Sequence, residues 1–257
     1  MYADPRVITD QRECFFYHSM DLPGVGEVKG QWDLRGDFDK YIGHVELAGS
    51  RVLDVGSGSG FLSYSAESAG AAEVVSFDMD HASRQHWVPF IQNASYFAPE
   101  QHLLTHNKWV EAWKNGYWFA HRLLNSKSKA IYGDVYDIPA SIGKFDVVLV
   151  CSILEHLANP VRALASIAKA ATSLMVITTP IIESNERIAR FEPTAGRPAI
   201  DFVWWTYSVG LYREVLEILG FSIVHMETNK FRFVLRDSLE TRTTIVARRI
   251  REIPVGT

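Results

Sequence analysis

The chain has 257 residues, 47% of them apolar and 22% charged, with 26 basic against 30 acidic side chains and a net charge of −4. That composition excludes a disordered chain and supplies a core for a large domain. The mild acidity offers no general attraction to phosphate backbones. No apolar run approaches the ~20 residues that span a bilayer. Cys14 and Cys151 are too few for a disulfide framework, and the polar first ten residues do not read as a signal peptide. A reduced, cytoplasmic setting is expected.

Residues 1–50 are mixed in character, with a helix expected near Asp37–Ile42. Arg51–Val55 reads as a first strand and runs into a glycine-rich turn. Phe61–Ala69 reads as a helix closed by Gly70, and Glu73–Phe77 as a second strand ending at Asp78. Residues 81–129 are rich in aromatics. Trp109, Trp113, Tyr117, Ala120 and Leu124 share one helical face, expected to be core. Ala130–Tyr132 is a third strand before Asp134, and Phe145–Cys151 a fourth, with the continuous apolar run of a strand buried on both faces. A helix follows Pro160, then a strand at Leu174–Thr178. Residues 181–207 read as a long irregular loop. A helix through Tyr212 and Leu216 ends at Gly220. Phe221–Glu227 and Thr243–Ala247 are two last strands, and the span between them is too short for a crossover helix, so they pair antiparallel. The alternation predicts one doubly wound α/β domain with ligands at the carboxyl ends of the strands.

The strongest motif is Asp54-Val55-Gly56-Ser57-Gly58-Ser59-Gly60, between the first strand and the first helix. Such a turn lets a ligand approach the backbone, and either a dinucleotide or S-adenosylmethionine uses one. A dinucleotide turn has the spacing G-x-G-x-x-G. Here Phe61 takes the place of the third glycine, and Asp54 would repel a pyrophosphate but suits an ammonium. A hydride-transferring enzyme is accordingly the weaker reading. Asp78, eighteen residues past Gly60, can accept ribose hydroxyls, and Asp134 can accept from an adenine amino group. Ser57, Met79, Val135 and Cys151 adjoin these positions and complete the expected cofactor wall, with Trp32 from the N-terminal segment.

These motifs, with Phe145-Asp146-Val147-Val148 and Leu154-Glu155-His156-Leu157, resemble the class I S-adenosylmethionine-dependent methyltransferases over roughly residues 50–180. The resemblance implies a seven-stranded sheet with an antiparallel final hairpin, and S-adenosyl-L-methionine as cofactor. A narrower resemblance rests on Tyr17-His18-Ser19-Met20-Asp21-Leu22-Pro23, Trp32-Asp33-Leu34-Arg35, Asn115-Gly116-Tyr117-Trp118 and Trp204-Trp205. These are similar to a bacterial branch related to the transfer-RNA wobble-uridine (carboxy)methyltransferases, without the longer N-terminal extension of those enzymes.

His156, after the fourth strand, is the candidate general base, with Glu155 to orient it. No third ligand stands at metal-binding spacing, so no metal is expected. Tyr17, His18 and Arg35 lie in the expected lid, and Trp204 and Trp205 are expected to close over the acceptor, one facing inward. The expected acceptor is a small molecule. The alternatives are a transfer-RNA uridine modifier using a carboxylated cofactor, and a non-catalytic cofactor-binding protein acting through partners. Lys230, Arg232, Arg236, Arg242, Arg248, Arg249 and Arg251 form the one basic cluster that would suit nucleic acid.

Overall fold

The computed structural model describes residues 2–252. In chain order the strands and α-helices are β1 (Met20–Leu22), β2 (Gly26–Val28), β3 (Trp32–Asp33), α1 (Phe38–Tyr41), β4 (Arg51–Val55), α2 (Phe61–Ser68), β5 (Glu73–Met79), α3 (Ala94–Phe97) and α4 (Pro99–Leu123). They continue with β6 (Lys129–Gly133), β7 (Phe145–Cys151), α5 (Pro160–Ala168), β8 (Ala171–Thr179), β9 (Ile181–Ile182), β10 (Ala189–Phe191), β11 (Trp205–Ser208), α6 (Val209–Ile218), β12 (Phe221–Phe233) and β13 (Ser238–Arg249).

The central sheet has the order β3-β12-β13-β8-β7-β4-β5-β6. The five strands from β6 to β8 run parallel, β13 turns back antiparallel to β8, and β12 pairs antiparallel with β13 and so runs with the five again. Seven of these strands match the expected sheet. The eighth is the two-residue β3, whose Trp32 and Asp33 pair with Phe233 and Arg232 at the far end of β12. It forms because β12 is 13 residues long and offers an unpaired edge to the N-terminal segment.

Alternation sorts the core. Val52, Val147 and Leu149 face α2, α4 and the N-terminal segment, while Leu53, Val148 and Val150 face α5 and α6. Both faces are covered, which is why β7 reads as one apolar run. The chain leaves β4 towards β5 and β6, then returns to lay β7 on the other side of β4. That reversal opens a crevice at the carboxyl ends of β4 and β7.

Two expectations are corrected. The aromatic face of α4 is only half core: Tyr117 and Ala120 are buried, whereas Trp109 is 53% exposed. The first half of α4 runs out past the sheet, and Trp109 packs edge-on against Phe15 instead. Mid-helix Gly116 is required there, because a Cβ would collide with the carbonyl oxygen of Phe15. The stretch 181–207 is not structureless. Its short strands form a three-stranded sheet, β10-β11-β9, too brief to show a period in sequence. Among the described residues no helix is long and apolar enough to cross a membrane.

Candidate active site

The glycine turn is built at the end of β4. The Gly56 and Ser57 N–H groups donate to Phe77 O, which pins the turn to β5. Gly56, Gly58 and Gly60 all have positive φ, a conformation other L residues resist. A Cβ on Gly56 would strike Ile153, whereas one on Gly58 would meet only the Tyr17 side chain, at 3.7 Å. Gly58 therefore faces open space under a tyrosine lid. Tyr17 is held over it by donating its own N–H to Ser59 Oγ at 3.0 Å.

Asp54 is fully buried. Its Oδ2 accepts from Ser63 Oγ at 2.6 Å, and its Oδ1 has no partner among the described residues. Burial pushes the carboxyl up to about 7, against the pull of the Ser63 hydrogen bond and with help from nearby Asp78. Asp78 Oδ2 accepts the Gly58 N–H at 2.6 Å and Oδ1 the Met79 N–H at 2.7 Å. Burial raises Asp78 as well, and these two backbone donors oppose it. A carboxylate has about four acceptor positions, so each acid keeps capacity for a ligand. The orphaned Asp54 oxygen and the open space at Gly58 fit a ligand that presents an ammonium beside a ribose. Asp134 is more committed: Oδ1 accepts from the Tyr136 N–H at 2.9 Å, and Oδ2 lies 3.3 Å from Arg84, which also pairs with Asp80. Met79 is half-buried at the end of β5, Val135 is half-buried in the turn after β6, and Cys151, with its thiol pushed up to about 12 by burial, closes β7.

Other expected residues fall differently. Trp32 is buried beneath Arg242, whose guanidinium carbon is 4.6 Å from the indole centroid, and packs on Phe233. His18 is buried against Phe61, and burial pushes its pKa down to about 3, so it stands as a neutral ring. Arg35 is not available to a substrate. It donates to Asp33, Asp21 and Glu27, three carboxylates of the β1–β3 segment.

At the end of β7, Glu155 is 6% exposed and accepts from Thr179 Oγ1 at 3.2 Å. It does not hydrogen-bond His156. The His156 Nδ1 instead meets Phe202 O at 2.8 Å, which leaves Nε2 as the ring's free nitrogen. Trp204 and Trp205 are both half-buried, so neither is the outward partner of a pair. Trp204 Nε1 donates to His86 O and Trp205 Nε1 to Ala158 O. The Val88 N–H donates to Asp201 O, and Asn93 donates to Pro198 O and Asp201. The aromatic-rich insertion, residues 81–129, and the acceptor-side segment, residues 181–207, are thus tied into one cover beside His156.

Sequence reasoning missed Tyr41, Ser152 and Arg242. Ser152 has φ of 52°, strained for serine, and its Oγ lies 2.9 Å from the Tyr41 hydroxyl. The Arg242 Nε is buried without a partner among the described residues. Nothing local in sequence marks Tyr41 or Ser152, and Arg242 was grouped with a basic cluster that the fold disperses. Arg249 donates to Ala168 O and Ala171 O, and Arg232 pairs with Asp237.

This sheet order, with its glycine turn and paired acids, defines a class I methyltransferase. The chain belongs to the methyltransferase-domain family, whose model matches residues 36–226. It is 26% identical over 206 residues to a tRNA U34 carboxymethyltransferase of Pseudomonas putida (strain GB-1), covering 79% of this chain and 55% of that one. The chain thus spans about half the length of the curated relatives it matches. Its fold is shared with magnesium protoporphyrin IX methyltransferase of Synechocystis PCC 6803 (TM-score 0.55, 16% identity, 84% of this chain and 81% of that one). It is shared also with 1,6-didemethyltoxoflavin-N1-methyltransferase of Burkholderia thailandensis (TM-score 0.50, 16% identity, 85% and 78%).

Proposed function

We propose that the protein transfers a methyl group directly to a small-molecule acceptor, and that the cover beside His156 carries this reading. Four hydrogen-bonded contacts between residues 86–93 and 198–204 fix aromatic side chains over one end of the crevice. Such a cover excludes water and orients a compact acceptor. When bound, S-adenosylmethionine supplies a methyl carbon activated by sulfonium. Asp54 and the open space at Gly58 hold its methionine end, Asp78 its ribose, and Asp134 with Val135 border its base. The free Nε2 of His156 is placed to take a proton from the acceptor's nucleophile. Glu155, bonded only weakly to Thr179, accepts a hydrogen bond from the same acceptor. The free Cys14 and Cys151 suit the reducing cytoplasm.

The names of the curated relatives favour a second reading, carboxymethyl transfer to transfer RNA. Arg242 is the observation on its side, a cation whose buried Nε has no partner among the described residues and which could hold an added carboxylate. Incubation with methyl-labelled S-adenosylmethionine and with the carboxylated cofactor labelled in its carboxymethyl group, each beside a low-molecular-weight metabolite extract or bulk transfer RNA, separates the two. Label is expected in the small-molecule fraction and should fall at least about tenfold in His156→Ala. Label in the transfer RNA alone overturns the first reading.

A further inference from the structure

Asp54 stands at one end of a continuous chain of hydroxyl groups. Beyond Ser63, the Ser63 and Ser76 oxygens lie 2.6 Å apart, and Ser76 lies 3.0 Å from the Tyr117 hydroxyl. Tyr117 reaches Ser128 at 2.9 Å, Ser128 reaches Ser126 at 2.9 Å, and Ser126 donates to Glu67 Oε2 at 2.5 Å. Ser63, Ser76, Tyr117 and Ser128 are buried, and Glu67 is half-buried near the end of α2. The chain crosses from the glycine turn, at the carboxyl end of the sheet, to the loop that enters β6 at the opposite end.

Proton counting makes the chain informative. Five hydroxyls supply five protons, but six links join the seven groups. Each link needs one proton, so with both carboxyls ionised one oxygen pair goes without. A sixth proton on either carboxyl completes every link. Seated on Asp54, it turns all the hydroxyls towards Glu67; seated on Glu67, it turns them all towards Asp54.

We propose that this chain is a proton path coupling the cofactor cradle to Glu67, with the serines and Tyr117 as positioning residues. Asp54 holds the extra proton in the cofactor-free protein. An ammonium brought to Asp54 drives it out: each hydroxyl passes its proton on as it receives the next, and one proton emerges on Glu67 for release to water. The inference rests on the assignment of the cofactor's methionine end to Asp54.

The groups facing Asp54 agree with a neutral acid in the empty site. Ser63 and Tyr64 face it from α2, Asp78 from β5, Tyr117 from α4 and Cys151 from β7, and none is a cation. The other end faces the Lys127 N–H, Tyr64 and Tyr117.

Glu67→Gln removes the anion that draws the hydroxyls outward, so Asp54 should ionise more readily. Calorimetric titration with S-adenosylhomocysteine from about pH 5.5 to about pH 8.5 reads the pH midpoint below which affinity is lost. In the wild type that midpoint lies near neutrality, and two buffers of unlike ionisation enthalpy report a released proton. Glu67→Gln should lower the midpoint by about one unit, a gain of about tenfold in affinity on the acid side. Tyr117→Phe cuts the chain, and in that background Glu67→Gln should have no further effect. A second readout needs no ligand: the infrared band of a protonated carboxyl, lost in Asp54→Asn, should weaken in Glu67→Gln. A folded Glu67→Gln protein with the wild-type midpoint and band overturns the proposal. A shift that persists undiminished beside Tyr117→Phe overturns it too, since that effect acts through space. Wild-type affinity at the alkaline end reports the cradle itself, so its absence would count against the cofactor's placement, and the infrared band would still decide the chain.

Discussion

Asp54 is a buried carboxyl whose charge the empty fold resists, and the proposed cradle asks it to meet an ammonium. Its folded pKa, about 7, lies above the ordinary value of about 3.9. The stability it contributes is therefore full below about pH 3.9 and lost as pH rises through about 7. Asp54→Asn should stabilise the cofactor-free protein near pH 8, by roughly 1–3 kcal/mol, while weakening S-adenosylhomocysteine binding. Thermal denaturation checks the first effect, and an unchanged or lower Tm contradicts it. Asp78→Ala should cost about tenfold in affinity, ~1.4 kcal/mol, since the acid braces Gly58 and is the proposed ribose contact. Retained affinity would move the ribose contact elsewhere. Both acids were legible in sequence because their signal is local, one carboxylate at each strand end. The partners that tune Asp54 were not. Ser76 is its register partner across β4 and β5, and Tyr117 arrives from α4, so only the folded chain brings them together. His18 shows the converse. Its place near the lid suggested substrate contact, but burial beside Phe61 makes it a neutral core ring.

At the scale of elements, strong periods were readable and weak ones were not. The parallel strands and the helices α2, α5 and α6 show clear apolar runs or faces. The β12–β13 hairpin runs far past the expected ends, to Phe233 and from Ser238. Its outer half alternates charged residues with single apolar ones, as at Lys230, Phe231 and Arg232, and so reads as a loop. That extension recruits β3 and places Arg242 over Trp32. The cover was anticipated as a loop; its three-stranded sheet and its bonds to the insertion arise from pairings up to 118 residues apart. Trp204→Ala removes the indole bond to His86 O and should loosen that cover. Acceptor KM should rise several-fold with S-adenosylhomocysteine affinity unchanged, measured by steady-state kinetics and calorimetry. A matching loss of cofactor affinity would show that the cover belongs to the cofactor side instead.

The whole molecule follows from one reversal of strand order. Because β7 returns to the other side of β4, the glycine turn, Asp78 and the Glu155–His156 segment gather at one edge of the sheet. A seven-stranded sheet with an antiparallel final hairpin is what the family resemblance implies, and the folded chain adds an eighth strand to it. Closeness in sequence, by contrast, did not group the basic residues in space. The cluster read near the C-terminus resolves into Arg249 on the carbonyls of Ala168 and Ala171, Arg232 in an ion pair, and Arg242 over Trp32. The central claim is that the turn is a cradle for S-adenosylmethionine. Calorimetric titration of the wild-type protein with S-adenosylhomocysteine, beside NAD, tests it most directly. Binding with a Kd on the order of micromolar, about −8 kcal/mol, and no heat from NAD is the predicted result. Binding of NAD, or of neither ligand, would contradict it.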